Sequence, residues 1–224
     1  MALLLNIDTA LDIASVCLSK DGSVLQSASN DQQKDHALWL HQCVADLLQS
    51  NGFTGNDLGA VAVTIGPGSY TGLRVGLSAA KGLAYALKIP LIGVSTLQMI
   101  AQANHNEIVE LVCPMIDARR MEVFTAVYNR EGKEIAAPSA LILDENSFSG
   151  LLEKNKILFC GNGCKKMQPL VKHAHASYNE RSGDATDLSV IADQHFQEKR
   201  FIDLAYSEPL YIKDFNAVQR KTLI

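Results

Sequence analysis

His173 and His175, two imidazoles flanking one alanine, are of the residue type that ligates a transition metal such as zinc. They lie in a polar stretch, where histidines are usually solvated, and their spacing alone does not build a site. His36 and His41 are five residues apart on an expected helix, so they point about 140° away from each other and cannot share an ion. No Gly-x-Ser-x-Gly elbow or Cys-His pairing supplies a nucleophile. Cys17, Cys43, Cys113, Cys160 and Cys164 are scattered through apolar segments without C-x-x-C spacing, as expected of reduced, mostly buried thiols. Asp117, Arg119, Arg120 and Glu122 crowd one turn, which reads as a salt-bridged hairpin tip or, preferably, as a partner contact.

The stretch with the strongest signal positions a surface instead of a reagent. Ala60 to Ile65 is small or β-branched and uncharged, which suits a strand buried on both faces. Gly66-Pro67-Gly68-Ser69 breaks it, and Ser69 or Thr71 is placed to cap a helix reaching Leu87. Leu73, Leu77, Ala80, Ala84 and Leu87 form a bulky stripe for the sheet, while Arg74, Ser78, Lys81, Tyr85 and Lys88 fill a polar face. A third stripe, Gly72, Val75, Ala79, Gly82 and Ala86, is small. Interior glycine costs about 1 kcal/mol relative to alanine, so Gly72, Gly76 and Gly82 imply that another backbone comes close. That backbone is either a neighbouring helix of the same chain or another subunit.

With 224 residues, 47% of them hydrophobic, the chain can bury a core as one domain or as two of about 100 residues. A formal charge of −4 and no basic run longer than two residues leave no footprint for binding nucleic acid unaided. The opening MALLLNID lacks the marks of a signal peptide, and no apolar window is long enough to span a membrane. A cytoplasmic protein is expected.

In chain order, Leu3 to Ile7, Ile13 to Leu18 and Val24 to Ala28 read as an antiparallel meander. The polar run Asp31 to Asp35 leads into a helix from His36 to Ser50 whose core stripe leaves Leu38 and Trp39 on other faces. A short strand, Leu91 to Val94, and a helix capped by Ser95 follow the central helix. Asn104 to Glu107 marks a boundary between lobes of residues 1–104 and 105–224. Beyond it strands Ile108 to Ile116, Met121 to Tyr128 and Glu134 to Ala137 repeat the meander. Ile157 to Cys160 then leads into Gly161-Asn162-Gly163 and a helix, with a later helix at Thr186 to His195 and an extended tail at Pro209 to Asp214. The expected architecture is α/β with two lobes, the second smaller and poorer in helix.

IDTALDIASVCL, GPGSYTGLRVGLSAAKGLAYALKIPLIGVSTL, IDARRMEVFTAVY and PLYIKD together resemble the bacterial tRNA threonylcarbamoyladenosine biosynthesis family TsaB, also called YeaZ. The resemblance implies an actin/Hsp70/sugar-kinase-like fold of the RNase H-like class. It also implies a non-catalytic subunit working with the catalytic paralogue TsaD and the ATPase TsaE. Their joint product is a threonylcarbamoyl group on N6 of adenosine 37 in tRNAs that read codons beginning with A. On this reading tRNA is met only within the complex, ATP belongs to the complex, and the chain pairs with itself when alone. The interface would use Leu38, Trp39, Gly72, Val75, Ala79, Gly82 and Ala86.

Set beside that family, this chain lacks equipment. Where the catalytic paralogue carries two metal-binding histidines, Ser95-Thr96-Leu97-Gln98-Met99 offers no ligand beyond a weak amide. The first hairpin turn, Asp8-Thr9-Ala10-Leu11-Asp12, has none of the glycines that let backbone amides approach a phosphate. Asp8 and Asp117 could hold magnesium in an active relative. A vestigial nucleotide cleft would comprise Asp8, Thr9, Gly66, Gly68, Asp117, Gly161 and Gly163, although Gly161 to Gly163 also reads as a plain connection. The alternatives are a free-standing kinase-like ATP-binding protein of the same fold and a metallopeptidase, the reading behind the older glycoprotease label.

Overall fold

The computed structural model describes residues 2–32, 36–105 and 109–213. The expected cap residues up to Asp35, the linker residues Asn106 and Glu107, Ile108 and Asp214 lie outside or partly outside these spans.

Two five-stranded sheets share one wiring. In the first, β1 (Leu3–Asp8), β2 (Ala14–Lys20) and β3 (Ser23–Asn30) form the meander, and β4 (Leu58–Gly66) and β5 (Leu91–Ser95) add in parallel, giving the order β3-β2-β1-β4-β5. In the second, β6 (Leu111–Asp117), β7 (Glu122–Asn129) and β8 (Glu134–Ile142) are the meander, with β9 (Ile157–Cys160) and β10 (Ala176–Asn179) parallel to β6, giving β8-β7-β6-β9-β10. A meander extended by parallel strands, built twice, is the actin/Hsp70/sugar-kinase-like plan.

Period-two alternation assigns the faces of the first sheet. Leu3, Leu5, Ile7, Val61 and Val63 meet α1 (His36–Ser50) and α2 (Tyr70–Leu87) through Leu40, Val44, Leu47, Leu77, Ala80 and Ala84. On the opposite face Leu4, Ala60, Ala62, Ile92 and Val94 meet α6 (Ala185–Gln197) through Leu188, Ile191, Ala192 and Phe196. Strands covered on both sides have no solvent-facing side, which is why β1 is buried along its whole length and β4 reads as a nearly continuous apolar run.

Helix α3 (Thr96–Ala103) joins the lobes. Met99 packs with the first sheet's cluster, while Leu97, Ile100 and Ala101 pack with Val112, Ile116, Ala126, Tyr128 and Leu158 of the second. The far face of the second sheet is covered by two single turns, α4 (Ser149–Leu152) and α5 (Cys164–Met167). The helix expected after Gly163 is therefore four residues long, and β10 appears where only a polar loop was expected.

The chain also crosses back. Helix α6 covers the first sheet, Ile202 N–H donates to the Leu91 carbonyl at 2.9 Å, and Leu210 N–H donates to the Ile65 carbonyl at 2.6 Å. A division at residues 104 and 105 would separate residues 185–210 from the sheet that they complete.

Candidate functional site

The end of β1 carries Asp8, and the turn after it is held down by the start of α2. Ser69 N–H donates to the Ala10 carbonyl at 2.7 Å, Thr9 Oγ1 donates to the Gly72 carbonyl at 2.7 Å, and Ser69 Oγ caps α2 by accepting from Gly72 N–H at 3.2 Å. A Cβ at Gly68 would collide with the Ala10 carbonyl oxygen, one at Gly72 with the Thr9 carbonyl oxygen, and one at Gly76 with Thr9 Oγ1. Gly66 has φ of +115°, and a Cβ there would lie 2.7 Å from the Leu210 carbonyl oxygen. The glycines around the expected phosphate position thus admit this chain's own backbone. This corrects the place of Gly72, which is buried beneath residue 9 and not part of an exposed small-residue face.

Asp8 itself is buried; its Oδ1 accepts from Thr64 Oγ1 at 2.6 Å and from Ala10 N–H at 3.1 Å. Burial outweighs these donors, and with Asp184 nearby it raises the carboxyl pKa from 3.8 to about 6.

The second lobe closes the equivalent turn differently. Asp117 pairs with Lys166 at 2.6 Å and accepts from Arg119 N–H at 2.6 Å. Its partial burial acts to raise its pKa, but Lys166 and the Arg119 amide hold it below the ordinary carboxylate value. Glu122 pairs with Lys213. Both acids of the charged turn are thus paired with lysines of the same chain, while Arg119 and Arg120 stay exposed. Gly161 would meet the Met115 carbonyl oxygen at 2.6 Å with a Cβ, and Gly163 N–H donates to that oxygen at 3.0 Å. Asn162 Oδ1 accepts from Asp117 N–H at 2.9 Å. The Gly161-Asn162-Gly163 turn is stitched to the end of β6.

The face of α1 and α2 away from the sheet is open. Leu38 is 81% exposed and Tyr85 77% exposed, whereas Trp39, Val75, Ala79 and Leu83 are half-buried against the core. Val75, Ala79, Gly82 and Leu83, with His41, Tyr70, Arg74 and Ser78, line a shallow groove of about 660 Å³. Gly82 and Ala86 are exposed, and a Cβ on Gly82 would meet nothing within 4 Å. Of the expected interface residues, the structure therefore brings Val75, Ala79 and Gly82 to one groove, leaves Leu38 and Ala86 open, tucks Trp39 partly inward and removes Gly72.

Sequence reasoning read Pro209 to Asp214 as an extended tail but missed that residues 205–211 border this groove as a strap. Lys81 Nζ donates to the carbonyls of Ala205 and Ser207 at 3.2 and 2.6 Å, and Tyr211 stacks near Tyr70 with ring centroids 5.3 Å apart. The partners are more than 120 residues apart, so no local pattern announces them.

The remaining chemical candidates are inert in structural terms. His175 Nδ1 lies 2.8 Å from the Leu152 carbonyl, and His173 Nδ1 accepts from His175 N–H at 3.1 Å. His41 lies on the groove, and the side chain of His36 is outside the described residues. Among the described residues no three His, Cys, Asp or Glu side chains converge to hold a metal ion. Thr96, Leu97 and Met99 are buried at the β5–α3 junction. Burial pushes the thiols of Cys17 and Cys113 up to about 12 and those of Cys43 and Cys164 up to about 11, so they stay protonated. No helix among the described residues is long and apolar enough to cross a membrane.

Residues 23–219 match the family model described as TsaD, tRNA N6-adenosine threonylcarbamoyltransferase. The chain is 32% identical to the tRNA threonylcarbamoyladenosine biosynthesis protein TsaB of Escherichia coli, covering 94% of each chain. It is 35% identical to the protein of the same name from Haemophilus influenzae, covering 94% of this chain and 93% of that one. A crystal structure from Pseudomonas aeruginosa, described as similar to the peptidase YeaZ, superposes with a TM-score of 0.84 at 28% identity, covering 95% of this chain and all of the other.

Proposed function

Since the chain belongs to the TsaB family of tRNA threonylcarbamoyladenosine biosynthesis proteins, we propose that within that pathway it is a scaffold subunit without a catalytic centre of its own. The observation that carries this reading is the contrast between two sites in one lobe. The turn that would cradle phosphate is filled by Thr9, Ala10 and Leu210, whereas the groove of α1 and α2 is apolar and open. The groove receives the TsaD-like catalytic subunit, and a second copy of this chain occupies it when that subunit is absent. A TsaE-like ATPase brings ATP turnover to the assembly, and tRNA is held by the assembled complex in the cytoplasm. The net charge of −4 favours this order of events, because this chain contributes little attraction for phosphate.

Gly82→Leu and Ala79→Trp are expected to keep the circular dichroism of the parent and to abolish the heteromeric peak in size-exclusion runs with the TsaD-like subunit. A leucine at Gly82 has room in the isolated chain but fills the groove. Normal complex formation by both variants would overturn the reading.

A further inference from the structure

The groove is charged at one end, where Arg74 lines it. Helix α2 carries Arg74 and Lys81 and no acidic residue; α1 carries one acid, Asp46, whose Oδ1 accepts from Gln42 at 2.8 Å. Lys81 is committed to the strap carbonyls. Arg74 is held differently: its guanidinium lies 3.9 Å from the Tyr70 ring centroid and 5.9 Å from that of Tyr211, and Nε donates to Tyr211 Oη at 3.1 Å. Nε is one of five guanidinium donors, and among the described residues the four on the terminal nitrogens have no hydrogen-bond partner. Among the described residues no carboxylate pairs with it. An arginine fixed by two aromatic rings has already lost most of the freedom that pairing would take from it.

We propose that Arg74 is a charge anchor, and that the groove fits an amphipathic helix of the catalytic partner whose apolar side lies on Val75, Ala79 and Gly82 and whose carboxylate takes the guanidinium in a two-pronged pair. This rests on the docking reading above and adds the partner's chemistry to it. A second copy of this chain is the poorer occupant, since its own α2 returns Arg74 and Lys81 to a surface that already bears them. Like charges brought together oppose association and opposite charges select the partner, so Arg74 favours the heteromer over the self-pair.

The test compares Arg74→Glu, Arg74→Ala and Gly82→Leu by calorimetric titration against the purified TsaD-like subunit at low and high salt. Sedimentation equilibrium on each variant alone gives the self-association constant. Arg74→Glu is expected to weaken the heteromer about 100-fold and Arg74→Ala about 10-fold, with a flatter salt dependence for alanine and self-association equal to or tighter than the parent's. Heteromer affinity within about twofold of the parent for Arg74→Glu, or equal losses in heteromer and self-pair, overturns the anchor. If Gly82→Leu still blocks assembly in that case, the docking face stands without it; if neither variant matters, both fall.

Discussion

Gly72→Ala is expected to lower the stability of this protein by about 3 kcal/mol, while Gly82→Ala, ten residues along the same helix, raises it by about 1 kcal/mol. Helix propensity alone favours alanine at both positions equally. The sign reverses at Gly72 because the new Cβ would sit against the Thr9 carbonyl oxygen, and relieving the clash breaks the Thr9 Oγ1 hydrogen bond to the Gly72 carbonyl. At Gly82 the methyl group meets nothing within 4 Å. Urea unfolding with unchanged m-values would show the two midpoints moving in opposite directions, and for a chain of this length the Gly72 variant would melt about 6–12 °C lower. Equal shifts of one sign would mean that the contact between α2 and the first hairpin turn does not hold that turn in place.

The same pair of glycines marks what the amino-acid order could and could not reveal. Periodicity located α2 to within a residue and separated its sheet-facing stripe, since Leu73, Leu77, Ala80 and Ala84 are all buried as a 3.6-residue repeat requires. It grouped Gly72 with Gly82 because both fall on one side of a helical wheel, and a wheel has no information about what crosses the helix at each level. The crossing segment at Thr9 is more than 60 residues away in sequence. Helix α6 presents the complementary case. Its amphipathic pattern is legible in Leu188, Ile191 and Ala192, but its return to the first sheet depends on chain reversal after β10, which no repeat encodes. Strand β10 has four residues, too few for alternation to stand out, and Arg74 reads as an ordinary polar-face residue until Tyr211 is placed beside it. Apart from that short strand, what escaped the sequence is long-range.

Asp8→Asn is expected to stabilise the protein by on the order of 3 kcal/mol at neutral pH, the opposite of what removing a hydrogen-bonded polar group usually does. The carboxyl is buried with a pKa near 6, against 3.8 when exposed. Between those values the folded chain holds a proton that the unfolded chain releases, so stability falls as pH rises from about 3.8 to 6 and stays lowered above that. Asparagine keeps an oxygen to accept from Thr64 Oγ1 and Ala10 N–H, and it carries no charge to desolvate. The advantage of the variant should therefore vanish in acid, open across that window and level off above pH 6. Urea midpoints of both proteins at several pH values would trace it, and a difference independent of pH would refute the assignment to Asp8 ionisation. A carboxylate buried at the end of β1 thus works against the fold that contains it. If threonylcarbamoyl transfer by the assembled complex survives Asp8→Asn unchanged, the residue is a relic; if transfer falls while the variant is more stable, the charge serves the assembly.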